Sequence, residues 1–223
     1  MITPKTLAFL GSLKENNSRE WFQRHRAEYD AARADFFDTV VRFIDAVASF
    51  DDVVASARPD PKSCMMRIHR DTRFSKDKTP YKTGFFAFAG KGGWKAGNAG
   101  YYLHIEPGAS FVGGGLYMPE PPILDKTRRA IDARHQEWLS IVTGPGLLAG
   151  FPEGVLPSGE TKRPPKGYGA TNPAIAWLRY KGYYTQKFFE DGELVAADFP
   201  ERLGLTCKAV LPMVRFLNDA ISR

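Results

Sequence analysis

Gly100-Tyr-Tyr-Leu-His-Ile-Glu-Pro-Gly-Ala-Ser-Phe-Val-Gly-Gly-Gly115 is the stretch on which the architecture turns. Up to Glu106 its side chains alternate, with Tyr101, Leu103 and Ile105 on one side and Tyr102, His104 and Glu106 on the other. A period of two marks a strand with one face toward a core. Pro107-Gly108 turns the chain into a second strand, Ser110 to Met118, so the two form an antiparallel hairpin. Upstream, Phe85 to Ala89 leads into the glycine-rich turn Gly90 to Gly100. Before that, Cys64, Met66 and Ile68 alternate with Met65, Arg67 and His69, which predicts a strand from Ser63. Downstream, Tyr183 to Phe189 adds one more. An antiparallel sheet of about four to six strands follows.

Helical patterns flank this sheet. Thr3-Pro4 is an N-cap followed by proline at the first helical position, and Leu7, Leu10 and Leu13 mark the buried stripe. Asn17 with Glu20 predicts a capping box for a long second helix. It carries Phe22, Tyr29, Phe36, Val40, Phe43, Ile44 and Val47 at helical spacing to about Ser49, as one rod or as two joined near Ala31-Ala32. Ile123, Leu124, Ile131 and Trp138 predict a helix to about Val142. Gly144 to Pro165 is expected to be an irregular loop, and Asn172-Pro173 to open a short helix. Leu205 to Ile221 is a C-terminal helix with Pro212 as a kink. Strands grouped together, with helices before and after, give an α+β fold in one domain, residues 1–223.

Composition narrows the class. Of 223 residues, 43% are hydrophobic and 13% aromatic, enough for a sizeable core and too many for a disordered chain. No basic, then apolar leader and no apolar run of membrane-spanning length occurs, so the expectation is a soluble, cytoplasmic protein with no membrane partner. Cys64 and Cys207 sit in apolar runs and are expected to be buried thiols. No set of ligands at metal spacing accompanies them, and neither metal nor cofactor is expected.

The net charge of +6 is unevenly placed. Lys62 to Lys95 holds nine Lys/Arg against two Asp, a net +7. Thr161 to Phe189 holds six and no acid, leaving −7 on the other 160 residues. Such asymmetry points to an anionic partner. Within the first block, Arg67, Arg70 and Arg73 suit a phosphate or carboxylate through their forked guanidinium groups, with Lys76, Lys78 and Lys82 adding charge and Tyr81 beside them. In the second, Lys162, Arg163 and Lys166 ride on a proline-stiffened loop. If the blocks meet they line one cleft; otherwise they are two separate solvated patches. The acids available for proton transfer are Asp71, Asp77, His104 and Glu106. Alternatively Asp71 and Asp77 neutralise the arginines internally, making the loop a structural or interaction module. The chain offers no metalloprotease, nucleophile-elbow or CxxC motif. Ser75-x-x-Lys78 and Lys82-Thr83-Gly84 lie side by side rather than in distant parts of the chain, which argues against a penicillin-binding enzyme.

Four stretches, Asn16 to Phe22 (NNSREWF), Arg70 to Lys82 (RDTRFSKDKTPYK), Gly100 to Gly115 and Lys162 to Tyr168 (KRPPKGY), resemble the domain of unknown function two-four-six-one, a family of conserved hypothetical proteins. The resemblance spans nearly the whole chain and departs at His69, where it implies tyrosine. It implies no reaction, but it makes both basic loops part of a signature, which a merely solvated charge run has no reason to join. The expected partner is therefore a phosphorylated or otherwise anionic small molecule bound in a basic cleft, with or without catalysis. The alternative is a nucleic acid stacked on Phe74, Tyr81, Trp94, Tyr168 and Tyr180, which lie among the cations.

Overall fold

A computed structural model describes all residues, Met1–Arg223. Five strands, β1 (Phe85–Ala89), β2 (Gly100–Ile105), β3 (Ser110–Leu116), β4 (Leu156–Pro157) and β5 (Tyr183–Phe189), form one antiparallel sheet in the order β1-β2-β3-β5-β4. Eleven helices surround it: α1 (Pro4–Glu15), α2 (Arg19–Arg24), α3 (Arg26–Ala48), α4 (Asp52–Ala57), α5 (Pro61–Cys64), α6 (Pro121–Ala133), α7 (His135–Val142), α8 (Pro145–Gly150), α9 (Ile175–Leu178), α10 (Asp191–Leu194) and α11 (Phe199–Ser222). The fold is α+β, and none of its helices is long and apolar enough to cross a membrane.

The register assigns each strand residue to a face. Phe85, Ala87 and Ala89 lie opposite Ile105, Leu103 and Tyr101, which continue across the sheet as Val112, Gly114 and Leu116 and then Thr185 and Tyr183. This face meets the helices. Phe36 of α3 stacks on Phe85 at 5.1 Å, and α11 runs beneath β3. A Cβ on Gly114 would stand 2.6 Å from Cγ1 of Val210, so glycine is what lets α11 approach so closely. Pro212 is accommodated on the exposed side of α11 without ending it. Cys64 and Cys207 are both free and buried, as their apolar neighbours suggest.

Local chemistry explains the N-terminal elements. Thr3 caps α1, and the hydroxyls of Thr3 and Thr6 both donate to Asp35, at 2.7 and 2.6 Å, tying α1 to α3. Ser18, rather than Asn17, caps α2, accepting from the Trp21 amide at 3.2 Å. Asn17 is released for a longer reach. Its amide donates to the Tyr81 carbonyl and accepts from the Tyr81 N–H, both at 3.0 Å, as an edge strand would. Two of the signature stretches are thereby joined across 64 residues. The break between α2 and α3 falls at His25, whose ring stacks on Trp21 at 4.0 Å, and not at Ala31-Ala32.

Three other expectations are corrected. The alternating run from Ser63 is no strand: Cys64 ends α5, and only Met65 and His69 make isolated bridges, to Ala87 and Tyr81. The helix expected up to Val142 is two, breaking at Arg134. Gly144 to Pro165 holds α8 and β4 and is not wholly irregular. In the first case pairing with distant residues, which has no local period, decided the outcome.

Candidate functional site

The second face of the sheet is the more informative one. Its residues pair as Phe86 with His104, Phe88 with Tyr102, Tyr102 with Gly113, His104 with Phe111, Phe111 with Phe188 and Gly115 with Tyr184. The alternation along β2 predicts a polar face, and Tyr102, His104 and Glu106 do lie together there. Read across strands, however, the face is aromatic. Ring centroids follow one another at 5.7 Å (Phe86–His104), 5.0 Å (His104–Phe111) and 5.7 Å (Phe111–Phe188). Phe188 is 52% exposed, while Phe86, Tyr102, His104, Phe111 and Tyr184 are partly exposed. Contiguous apolar surface left open to solvent in this way is a mark of interaction sites.

Gly113 and Gly115 leave β3 bare on this face. The Tyr102 hydroxyl crosses β3 to donate to the Gly115 carbonyl at 3.0 Å and accepts from the Tyr117 N–H at 3.3 Å. A Cβ at Gly113, directly opposite Tyr102, would fall 2.0 Å from the Thr185 carbonyl oxygen on β5. Burial pushes the Tyr102 phenol up to about 12, so it remains a neutral donor.

At the β1–β2 end of the aromatic row lies a polar knot. His104 Nε2 meets Glu106 Oε2 at 2.9 Å, and Thr83 donates to Glu106 Oε1 at 2.7 Å. Lys14, from the end of α1, stands 3.8 Å from the same oxygen. Burial acts to raise the Glu106 carboxyl, but the bonds from Thr83 and His104 outweigh it and hold the group below its usual value. Gly84 makes this closure feasible, since a Cβ there would fall 2.9 Å from both His104 Cε1 and Glu106 Cβ. Every Glu106 oxygen is engaged within the protein, and His104 Nδ1 is buried without a partner. The pair is thus a strut between α1, the loop and β2, with neither nitrogen of the imidazole presented for proton transfer.

The first basic block divides into paired and unpaired cations. Arg70 donates to Asp77 and to Thr79, and Arg73 donates to Asp71 at 2.7 and 3.0 Å. Hydrogen bonds, chiefly from the Arg73 side chain, hold Asp71 near 2, and those from the Thr79 amide and Arg70 do the same for Asp77. Carboxylates so stabilised are weak bases, a poor match for general-base work near neutrality. Lys78 is exposed and donates across its own loop to the Thr72 carbonyl at 2.9 Å. Tyr81 is 5% exposed and stacked on Phe22 at 4.0 Å, so it is a core residue rather than a contact for ligand. Arg67, Lys76 and Lys82, by contrast, have no carboxylate within 4 Å. Burial lowers the proton affinity of Lys82, and the nearby Arg67 charge lowers it further. Lys82 directly precedes Thr83, which donates to Glu106, and Gly84, whose Cβ would meet His104, so the chain at Lys82 leads into the β1 end of the aromatic row.

The second block lies elsewhere. Glu160 bridges Tyr180 and the Thr161 N–H donates to Arg179, fixing the loop beyond β4. Lys162, Arg163 and Lys166 are exposed and unpaired, while Tyr168 packs against the core near Asp132, Arg129 and Arg128. β1 and β4 are the opposite edges of the sheet, four strand spacings or roughly 19 Å apart, and the first block leads into β1 while the second follows β4 and runs on to pack against α6. Two separated patches, the other outcome left open by the sequence, describe them. The stacking residues expected among the cations also differ: Phe74 is 94% and Trp94 50% exposed, but both lie in loops outside the aromatic row. Phe86, Phe111, Phe188 and Tyr184 were missed because each is one residue of an ordinary apolar strand until the register sets them abreast.

A family model described as conserved hypothetical protein, DUF2461, matches residues 5–216. The chain belongs to this family. Each of the four stretches that suggested the resemblance falls within that match. In this DUF2461 protein three of them meet at one end of the sheet: Asn17 holds Tyr81, and Thr83 and Gly84, just after the second stretch, hold His104 and Glu106. No curated protein and no solved structure matches the chain.

Proposed function

We propose that this protein binds a phosphate-bearing ligand with a flat ring, the phosphate against Arg67 and Lys82 and the ring on Phe86, His104 and Phe111. One observation supports the reading: a partly exposed aromatic row begins at Phe86, four residues along the chain from Lys82, a partly buried cation that no carboxylate of the protein neutralises and that the charge of Arg67 disfavours further. Buried or crowded charges of one sign are costly, and an anion between them removes that cost. Arginine supplies two donors in a fixed fork and lysine a point charge, the combination suited to a terminal phosphate. The internal pairs Arg70–Asp77 and Arg73–Asp71 favour a structural role for those two arginines, and they leave Arg67 and Lys82 unaccounted for.

Stacking on one aromatic site is worth roughly 1–3 kcal/mol. A charge-assisted hydrogen bond adds about 1.5–3 kcal/mol. Together they place a mononucleotide near the millimolar range. Amide NMR titration with adenosine monophosphate tests this. The expected shifts fall on Arg67, Lys82, Phe86, His104 and Phe111, with inorganic phosphate moving only the first two. No saturable shift in those residues, or shifts mapping to another surface, refutes the proposal.

A further inference from the structure

We infer that the chain carries a second ligand site, a hollow between α5 and the tip of the β1–β2 hairpin that takes an anion bearing a flat ring. It lies at the Ala89 end of β1, whereas Lys82 leads into the Phe85 end. Its volume is about 440 Å³, within the roughly 300–1,000 Å³ of small-molecule sites. Ala57, Pro59 and Cys64 line it from the α4–α5 side, and Gly92, Trp94 and Lys95 from the hairpin tip. Fixed contacts hold the tip in place. Asn218 of α11 clasps Ala99 at its base, accepting from the N–H at 2.9 Å and donating to the carbonyl at 3.1 Å. Asn98 closes the turn with a 3.0 Å bond to the Lys91 carbonyl. Gly92 and Gly93 both take φ 74°, the left-handed region open to glycine, so the chain turns there without adding side chains to the hollow.

The lining selects the occupant. Trp94 is 50% exposed and offers a large aromatic side chain to a flat ring, while Ala57, Pro59 and the Cys64 thiol supply apolar wall. Burial pushes the Cys64 thiol up, so that wall carries no charge. Lys95 Nζ stands 5.4 Å from the Trp94 ring centroid, and no carboxylate lies within 4 Å of it. The two lining segments, 57–64 and 90–95, also carry Arg58, Lys62 and Lys91, against Asp60 alone. The Asp60 oxygens are engaged by the Lys62 and Ser63 amides, both at 3.3 Å. At the tip the N–H groups of Gly93 and Ala96 are bonded to the Gly90 and Gly93 carbonyls, whereas those of Gly92, Trp94 and Lys95 have no backbone partner. Free amides on a glycine turn beside a lysine suit the oxygens of a phosphate or carboxylate. A neutral ligand would leave this excess of positive charge uncompensated.

This site does not depend on the binding proposed for the open face, and one titration separates the two. Amide NMR with phenyl phosphate is the test, with inorganic phosphate and benzyl alcohol as its charged and apolar halves. Phenyl phosphate is expected to give saturable shifts at Cys64, Gly92, Trp94 and Lys95, including the Trp94 indole N–H. It should bind about tenfold more tightly than either half. Lys95→Gln and Trp94→Leu, both at exposed positions, should each weaken binding here about tenfold and leave any shifts at Lys82 and Phe86 unchanged. No saturable shift at the hollow overturns the inference, and a response at Lys82 and Phe86 alone leaves only the open-face site standing. A response at the hollow without one at Lys82 and Phe86 supports this site and counts against the other. Benzyl alcohol binding as tightly as phenyl phosphate, or unchanged affinity in Lys95→Gln, also overturns it, since the hollow would then select no anion.

Discussion

Asn17→Ala is the perturbation with the clearest expected size, because one side chain makes two hydrogen bonds and little else depends on it. The amide satisfies both the N–H and the carbonyl of Tyr81, each at 3.0 Å, beneath a ring that is 5% exposed and stacked on Phe22. Removing it orphans two partly buried backbone groups. A typical bond contributes about 1 kcal/mol, and an unsatisfied buried group costs about 1–3 kcal/mol. Some water reaches this partly buried site, so the total is set at about 2–3 kcal/mol. For a domain of this size 1 kcal/mol moves the melting temperature by about 2–4 °C. The variant should therefore melt roughly 4–12 °C lower. Asn16→Ala is the internal control. Its amide reaches only the Ser12 carbonyl on the exposed end of α1, and its loss should cost less than about 1 kcal/mol. Differential scanning calorimetry gives the comparison, and hydrogen exchange at the Tyr81 amide tests the cause, since its protection should fall in Asn17→Ala alone. Equal melting temperatures for the two variants would refute the pairing between the NNSREWF and KTPYK stretches.

Two further expectations concern the loop and the glycine floor. Asp71 and Asp77 are held near 2 in the folded protein, below the ordinary 3.8, so whatever stability they contribute is complete above about pH 4 and is lost as pH falls toward 2. Carboxyl-carbon NMR titration should give both midpoints well under 3, and midpoints near 3.8 would show that the arginine pairs do not persist in solution. Gly113→Ala should lower the melting temperature by several degrees or prevent folding, since a Cβ there falls 2.0 Å from the Thr185 carbonyl oxygen on the neighbouring strand. Gly11→Ala, in the middle of α1 with nothing within 4 Å, should instead raise it, by up to about 1 kcal/mol of stability. Effects of opposite sign are required, and a neutral Gly113→Ala would contradict the packing of β3 on β5.

The sequence alone determined what depends on near neighbours. Periods of two and 3.6 located β2, β3, β5, α1 and α11, the Thr3-Pro4 cap placed the first helix start, and charge counting found both basic blocks, because each signal is carried by residues within a turn or two of one another. The four quoted stretches likewise sufficed for the family. Tertiary structure decided everything that depends on register and edges. Whether Asn17 caps a helix or clasps Tyr81, and whether Arg70 is free or paired with Asp77, hangs on contacts that no local period encodes. So does the character of the open face: Phe86, Phe111 and Phe188 become one surface only when hydrogen-bonded strands set residues as far apart in sequence as Phe111 and Phe188 side by side. The placement of the two blocks has the same origin, since a strand order of β1-β2-β3-β5-β4 sends their loops to opposite margins.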